Sequence, residues 1–409
     1  MRRQKGSQES SRSARVAYID GLRGLAIALV VLHHAYQDFL HSGYDLLKSS
    51  HAVFRLIGAV GTRGYLGVPL FFVLSGFCLS YPALKRRAEG KDSWFVASEF
   101  FARRCLRILP PYYVALLLFL LVNVVVTALH MTRLAQHVGA LDLLTHLFLV
   151  HNLTVYHDSI DGPFWSLGLE WQWYWLFPLL FFLSLRAPRL ALLSCLASAV
   201  AWHFVVQHLS PSLGYLEGMT LPGTLLIFCY GIIVARLIVA EWSVPSWLLA
   251  LGSVVPILLA EIPATQRIIG SVGLYESCYG LAFASLTFLG ATSRSARSAL
   301  SWAPLVWLGV ISYSVYLIHQ PLMAAFSIYT GRILHGSPLT MVLAAALAIG
   351  VAAVFHHVVE RPCMSQETWK RVGPVLTRLL TWTDALFADR HVKRAEVEVP
   401  LLQGAEQLP

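Results

Sequence analysis

The sequence is short of charge. Lys, Arg, Asp and Glu make up 13% of its 409 residues, where a soluble globular chain has about 25%. With 56% hydrophobic residues and a mean hydropathy of +0.62, too little polar surface remains to cover a water-soluble fold. The apolar excess must therefore face lipid. Acidic residues are fewer than basic ones, giving a formal net charge of +9. The Lys and Arg lie mostly in short segments between apolar runs, and no basic, aromatic-interleaved segment stands out. That pattern fits the bias of membrane loops and not a nucleic-acid partner. Cysteine is sparse and unpatterned. Cys78, Cys105, Cys195, Cys229, Cys278 and Cys363 form no C-x-x-C pair, which leaves little support for a disulfide framework or a zinc site and makes them packing residues. An internal repeat is missing, which argues against an inverted-repeat transporter. No small-residue cleavage site follows the basic stretch 1–15, so the first apolar run reads as a retained signal anchor.

What the sequence does have is about ten apolar runs, each long enough to span a bilayer as a helix. They fall near 20–40, 63–82, 108–129, 163–185, 190–208, 221–240, 246–261, 272–291, 303–330 and 339–359. The expected fold is all-α, a polytopic membrane helix bundle of about ten transmembrane helices. Residues 1–17 form an N-terminal tail, 18–362 the membrane domain and 363–409 a C-terminal tail with one amphipathic patch. An even number of spans puts both termini on one side. Placing them inside assigns the cluster Lys85 to Arg107, Arg186, Arg189, Arg236, Arg294, Arg297 and both tails to the cytoplasm, as the positive-inside rule requires. Residues 131–162 form a long loop, and its LDLLTHLFLVHNL stretch is amphipathic and suited to lie along the membrane surface.

An ionisable residue in the middle of a membrane helix costs about 2.5–3.5 kcal/mol, so each one is a functional candidate. In YIDGLRGLAIALVVLHH, Arg23 and His34 are eleven residues apart. They project on one helix face, separated by roughly 16 Å along the axis, while His33 points elsewhere. His34 suits proton transfer and Arg23 an anionic partner. The plainer roles are a hydrogen-bonded core histidine and an arginine snorkelling to lipid phosphates. Ser75-Gly76, in GVPLFFVLSGF, reads as a small-residue notch for close helix approach. In FFARRCLRILPPYY, Arg104 and Arg107 lie one turn apart and offer two guanidinium forks to one polyanion, either a lipid head group or a nucleotide-bearing donor. DGPFWSLGLEWQWYWLFPLL puts Glu170 in an aromatic span, where a carboxylate is protonated or seeks an Arg or His. Its tryptophans read in part as an interfacial belt. In LGVISYSVYLIHQPL, Tyr316 and His319 share a face, as functional groups or as a packed Tyr–His hydrogen bond, and Pro321 is expected to loosen the helix.

Taken together, these segments resemble the acyltransferase-3 family of membrane O-acyltransferases over about residues 18–362. The residues that carry the resemblance are Tyr18 to Gly24 with His34, Phe71 to Phe77, Arg104-x-x-Arg107 with Pro110, Trp165-Ser166-Leu167-x-x-Glu170, Ser312 to His319, and Glu360-Arg361-Pro362. Six such segments in the family's order make a specific signal. The resemblance implies a cytoplasmic acyl donor, usually acetyl-CoA, and a hydroxyl acceptor on a glycan or glycolipid at a cell membrane, with a bacterial inner membrane the expected location. It implies that Arg23 and His34 are the family's paired arginine and essential histidine, and that Arg104 and Arg107 are its paired arginines. Some members add a soluble SGNH-type domain after the membrane region, which is expected to be absent from a chain that ends soon after its last span.

The expected enzyme is thus an O-acetyltransferase with no bound cofactor and no metal, using acyl-CoA as donor substrate and a cell-surface polysaccharide or glycolipid as acceptor. His34 is its general base, Glu170, Tyr316 and His319 orient that base or stabilise the oxyanion, and Arg23, Arg104 and Arg107 hold the donor phosphates. Direct transfer is preferred to an acyl-enzyme on Ser166. The alternatives are a macrolide or lipid acceptor or, in another class altogether, a polytopic transporter or proton-coupled channel.

Overall fold

A computed structural model describes residues 2–91, 95–131, 136–209, 214, 216–265, 272–330, 333–334 and 337–387, with side chains in the first helix from Ala17 onward. The side chains of the basic N-terminal stretch, and residues 388–409 of the C-terminal tail, lie outside the described residues. The described residues are mostly helical, joined by turns and short loops, with no strand among them.

Helix α1 runs over Arg2–His41 and α2 over Ala52–Thr62. They are followed by α3 (Gly67–Ala88), α4 (Ala97–Ala128), α5 (Ala140–Leu147), α6 (Phe164–Arg186) and α7 (Pro188–Leu209). Then come α8 (Leu216–Met219), α9 (Leu221–Val239), α10 (Ser246–Ala260), α11 (Val272–Thr292) and α12 (Arg294–Leu300). The last are α13 (Ala303–Val310), α14 (Ser312–Thr330), α15 (Leu339–Phe355), α16 (Gln366–Leu379) and α17 (Thr381–Phe387).

Five helical stretches among the described residues are long and apolar enough to cross a membrane: Gly64–Ala88, Ala97–Ala128, Pro188–His208, Leu221–Val239 and Leu339–Cys363. A sixth arises if α13 and α14 count as one broken span. The other long helices, α1, α6 and α11, have their hydropathy diluted by the groups that make them interesting. Arg23 and the His33-His34 pair sit in α1, Glu170 and four tryptophans in α6, and Glu276 in α11. The single span expected over 303–330 is two helices bent by 77°. The break falls at Ile311, and α14 runs on through Pro321, so the proline is not where the chain turns.

Small residues set the packing. A Cβ on Gly76 would lie 2.1 Å from the Phe228 carbonyl oxygen, and one on Gly231 would lie 2.0 Å from that of Val73. Thus α3 and α9 touch backbone to backbone, as a notch of small residues permits in a membrane bundle. The same device joins α1 to α13, where a Cβ on Gly24 would meet the Leu305 carbonyl oxygen at 1.9 Å. Trp173, expected in part at an interface, is fully buried, edge-on to Phe72 and stacked on Phe228.

The amphipathic stretch after α4 is arranged inside out relative to a surface helix. Asp142, His146, His151 and Asn152 are buried, while Leu141 is 65% and Phe148 70% exposed. Some of these polar groups find partners inward, while both ring nitrogens of His151 have none among the described residues. Ser159 donates to Asp142 at 2.6 Å, the Tyr112 hydroxyl donates to the His146 carbonyl at 2.9 Å, and the His146 and His151 rings stack at 4.0 Å. An apolar outer face over a polar inner one suits lipid and not water outside. Beside this cluster both carboxylate oxygens of Asp161 are buried without a hydrogen-bond partner, and burial raises its acid well above the usual carboxylate range. Burial and the neighbouring His146 likewise push His151 down to about 3.

Candidate active site

Two cavities lie end to end between α1, α3, α6 and α14. The first is a half-open space of about 770 Å³, counted out into the solvent at its mouth. Arg23 reaches it from α1, Arg104 and Arg107 from α4, Glu170 and Tyr174 from α6, and Ser75 from α3. Three guanidinium groups therefore face one carboxylate. That carboxylate is already engaged: Glu170 accepts from the Tyr174 hydroxyl at 2.6 Å and from Ser75 at 3.3 Å. Arg23 lies 3.8 Å from Asp20, one turn earlier on its own helix. Arg104 sits over the rings of Phe100 and Tyr174 at 5.7 and 5.8 Å, and its Nε is buried with no hydrogen-bond partner among the described residues. Neither Arg104 nor Arg107 has a carboxylate within ion-pair distance among the described residues, so this chamber carries uncompensated positive charge suited to a polyanion.

The second cavity, of about 630 Å³, is lined by His33, His34, Tyr65, Trp165 and Glu276 among others. Val68, Phe72 and Tyr316 line both cavities and form the shared wall. Tyr316 is held there by its hydroxyl, which donates to the Pro163 carbonyl at 3.1 Å and lies 2.6 Å from Ser166 Oγ.

The hydrogen bonds around His34 fix its tautomer. His319 Nδ1 lies 2.9 and 3.1 Å from the carbonyl oxygens of Val315 and Tyr316, so it carries the proton and leaves His319 Nε2 as an acceptor. That Nε2 lies 3.1 Å from His34 Nδ1, which also lies 3.0 Å from the Val30 carbonyl. With acceptors on both sides, His34 Nδ1 must be the N–H, and the free lone pair falls on Nε2. A neutral imidazole so oriented is what a general base requires.

Several sequence expectations take a different form here. His33 does not point away; its Nδ1 donates to the Gly61 carbonyl at 2.9 Å and its ring lines the same cavity as His34, because the cavity is wide enough to admit two adjacent residues of one helix. Tyr316 makes no side-chain hydrogen bond to His319 among the described residues; its hydroxyl is turned to Ser166 and Pro163, and the partner of His319 is His34. Glu170 stands with the arginines and does not contact His34. Ser166 meets Tyr316 and, at 3.4 Å, its own turn's Pro163 carbonyl, with no base beside it. The Glu360-Arg361-Pro362 segment supplies a buried carboxylate that accepts from Ser314 at 2.5 Å and meets His356 Nδ1 at 2.9 Å, at a π-helical turn over His356–Glu360. Glu276 is absent from the sequence reading, although the rule that singled out Glu170, an acid inside an apolar run, applies equally to it. No group of three or more His, Cys, Asp or Glu among the described residues could hold a metal.

Among the described residues, an all-helical fold sets an arginine-lined cavity beside a histidine-lined one. The chain belongs to the acyltransferase family, whose model, described as an acyltransferase domain, matches residues 16–357. It is similar to the acyltransferase MdmB of Streptomyces mycarofaciens, 27% identical over 86% of this chain and 92% of that one. It is also similar to the putative peptidoglycan O-acetyltransferase YrhL of Bacillus subtilis, at 26% identity over 85% of this chain and 55% of that one. The peptidoglycan O-acetyltransferase OatA of Listeria monocytogenes is 26% identical over 75% of this chain and 49% of its own. The chain thus spans about half the length of the last two. No solved structure matches it at a significant level.

Proposed function

We propose that this acyltransferase moves an acetyl group from cytoplasmic acetyl-CoA to a hydroxyl of a cell-surface glycan or glycolipid, in a cell membrane it crosses about ten times with both termini inside. What supports the reading above all is the junction of the two cavities at Tyr316: phosphate-seeking cations line one side and a neutral imidazole with a free lone pair lines the other.

In this reading the donor's phosphates lie against Arg104, Arg107 and Arg23, where charge-assisted hydrogen bonds are strongest. The pantetheine arm runs past Tyr316 and presents the thioester to His34. His34 Nε2 takes the proton of the acceptor hydroxyl as its oxygen attacks the carbonyl carbon. Tyr316, switching from the Pro163 carbonyl, donates to the oxyanion. As the tetrahedral intermediate collapses, the C–S bond breaks, the ester is released, and the leaving thiolate takes the proton from the His34 imidazolium. His319 holds the His34 ring throughout.

Incubating purified full-length protein with labelled acetyl-CoA and a glycan acceptor tests this. Label appears in acceptor with the wild-type protein and not with His34→Ala. Transport of acetyl-CoA or glycan across a sealed vesicle, with no acetylated product, would instead support the transporter class.

A further inference from the structure

The second cavity holds more chemistry than a general base needs. Besides His34 it presents a carboxylate, Glu276 from α11, two aromatic rings, Trp165 and Tyr65, and the second imidazole His33. Glu276 is half-buried, and among the described residues it has no hydrogen bond or ion pair. Another acid, Glu217, acts on it electrostatically and is itself engaged by His203 at 3.0 Å. A carboxyl group kept in an aromatic-lined chamber without a hydrogen-bond partner is costly, and the arginines line the other cavity. It has two oxygens able to accept from two donors at once. His33 commits Nδ1 to Gly61, so its Nε2 is an acceptor as well.

We infer that this cavity is the acceptor site, and that Glu276 and Trp165 select a pyranose bearing vicinal hydroxyls. The inference rests on the acyltransferase reading above and names the substrate class of the same site. Two adjacent ring hydroxyls donate in parallel to the two oxygens of Glu276, and the apolar C–H face of the ring lies on the Trp165 indole. A third hydroxyl then falls to His34. No Lys or Arg among the described residues lines this cavity to meet a phosphate, which fits a neutral sugar and keeps the acetyl-CoA phosphates in the arginine chamber. The lone hydroxyl of a simple alcohol gains nothing from Glu276.

The test uses full-length protein in nanodiscs, labelled acetyl-CoA, and two acceptor probes: cellotriose, with vicinal hydroxyls, and n-propanol, with one. The wild-type protein should favour cellotriose. Glu276→Gln should raise the KM for cellotriose about tenfold, because the amide cannot reproduce the carboxyl group's pairing with two ring hydroxyls. The KM for acetyl-CoA and the rate with n-propanol should stay as in the wild type. Trp165→Leu should show the same split, and because Gln has nearly the shape of Glu, Glu276→Gln should not unfold the protein. Wild-type KM for cellotriose in Glu276→Gln, or equal use of both probes by the wild-type protein, overturns the site. Consumption of acetyl-CoA by water with no transfer to cellotriose also overturns it while leaving the donor reading intact. No consumption of acetyl-CoA at all overturns both.

Discussion

On one side of Tyr316 stand Arg23, Arg104 and Arg107 with a single, already engaged carboxylate, and on the other stand two histidines, two aromatic rings and Glu276. The first chamber is built around fixed positive charge that its own residues leave unmatched. The second is built around groups that accept hydrogen bonds and around one imidazole, His34, whose tautomer is set by His319 and Val30. Both lie in the same helix bundle, about three turns apart on α1, yet they differ in charge. On the proposed reading, the contrast lets one enzyme sort two substrates by sign, the polyanion to the first chamber and the neutral polyol to the second.

If that division is right, substitutions in the two chambers should fail in different ways. The largest effect belongs to His34. His34→Ala should lower kcat about 10³-fold, the usual worth of a general base, while the binding of acetyl-CoA measured by calorimetry stays at the wild-type value. Arg104→Ala and Arg107→Ala come next. Each should raise the KM for acetyl-CoA about 10- to 100-fold, the range expected for a lost charge-assisted hydrogen bond. The penalty should vanish when acetyl-pantetheine, which lacks the nucleotide, is the donor; an equal loss with both donors would break the comparison.

His319→Ala should cost about 10- to 100-fold in kcat by letting the His34 ring drift, with both KM values unchanged. His319→Gln, which retains an acceptor for His34 Nδ1, should recover most of the activity. Gly24→Ala sharpens the comparison from outside, because it strikes the backbone contact between α1 and α13 and neither chamber. It should lower Tm, by about 1–3 kcal/mol of overpacking, without separating the two substrates' KM values.

The smallest effect is at Asp161. Its acid is raised by burial in the folded protein, so the unfolded state releases the proton at lower pH than the folded one. Folding is therefore penalised as pH climbs above the unfolded value near 4. Asp161→Asn should raise Tm modestly at pH 7, and the gain should shrink toward zero below pH 4.

Much of this site is legible in the sequence because burying ionisable groups in lipid is expensive enough to make each one conspicuous. Arg23, Arg104, Arg107 and Glu170 stand out on that ground, and they line one cavity. His34 and His319 stand out as well, on different helices, and the fold puts them in contact. Their contact itself could not be read, because helical periodicity places residues on a face of one helix and says nothing about which faces meet. For the same reason Tyr316 looked like a partner of His319, three residues on, when its hydroxyl crosses to Pro163 and Ser166 on the other side of the bundle. The bend at Ile311 has no proline or glycine pair at the break itself, and Pro321 drew attention to the wrong turn. The α5 segment looked like a surface helix because its moment is strong, but a moment gives a polar face without saying whether water or protein covers it. Glu276 needed no structure to be noticed. It lies in a less apolar run whose neighbouring tyrosines and small residues made it look less out of place.

The most direct test of the two-chamber account is a structure of the full-length protein with coenzyme A bound. The account predicts the nucleotide phosphates among Arg23, Arg104 and Arg107, the pantetheine arm passing Tyr316, and the thiol on the His34 side of that ring, close enough for a thioester carbon to come within about 3.5 Å of an acceptor oxygen held by His34. Coenzyme A seated outside the arginine cavity, or with its thiol turned away from His34, would contradict it.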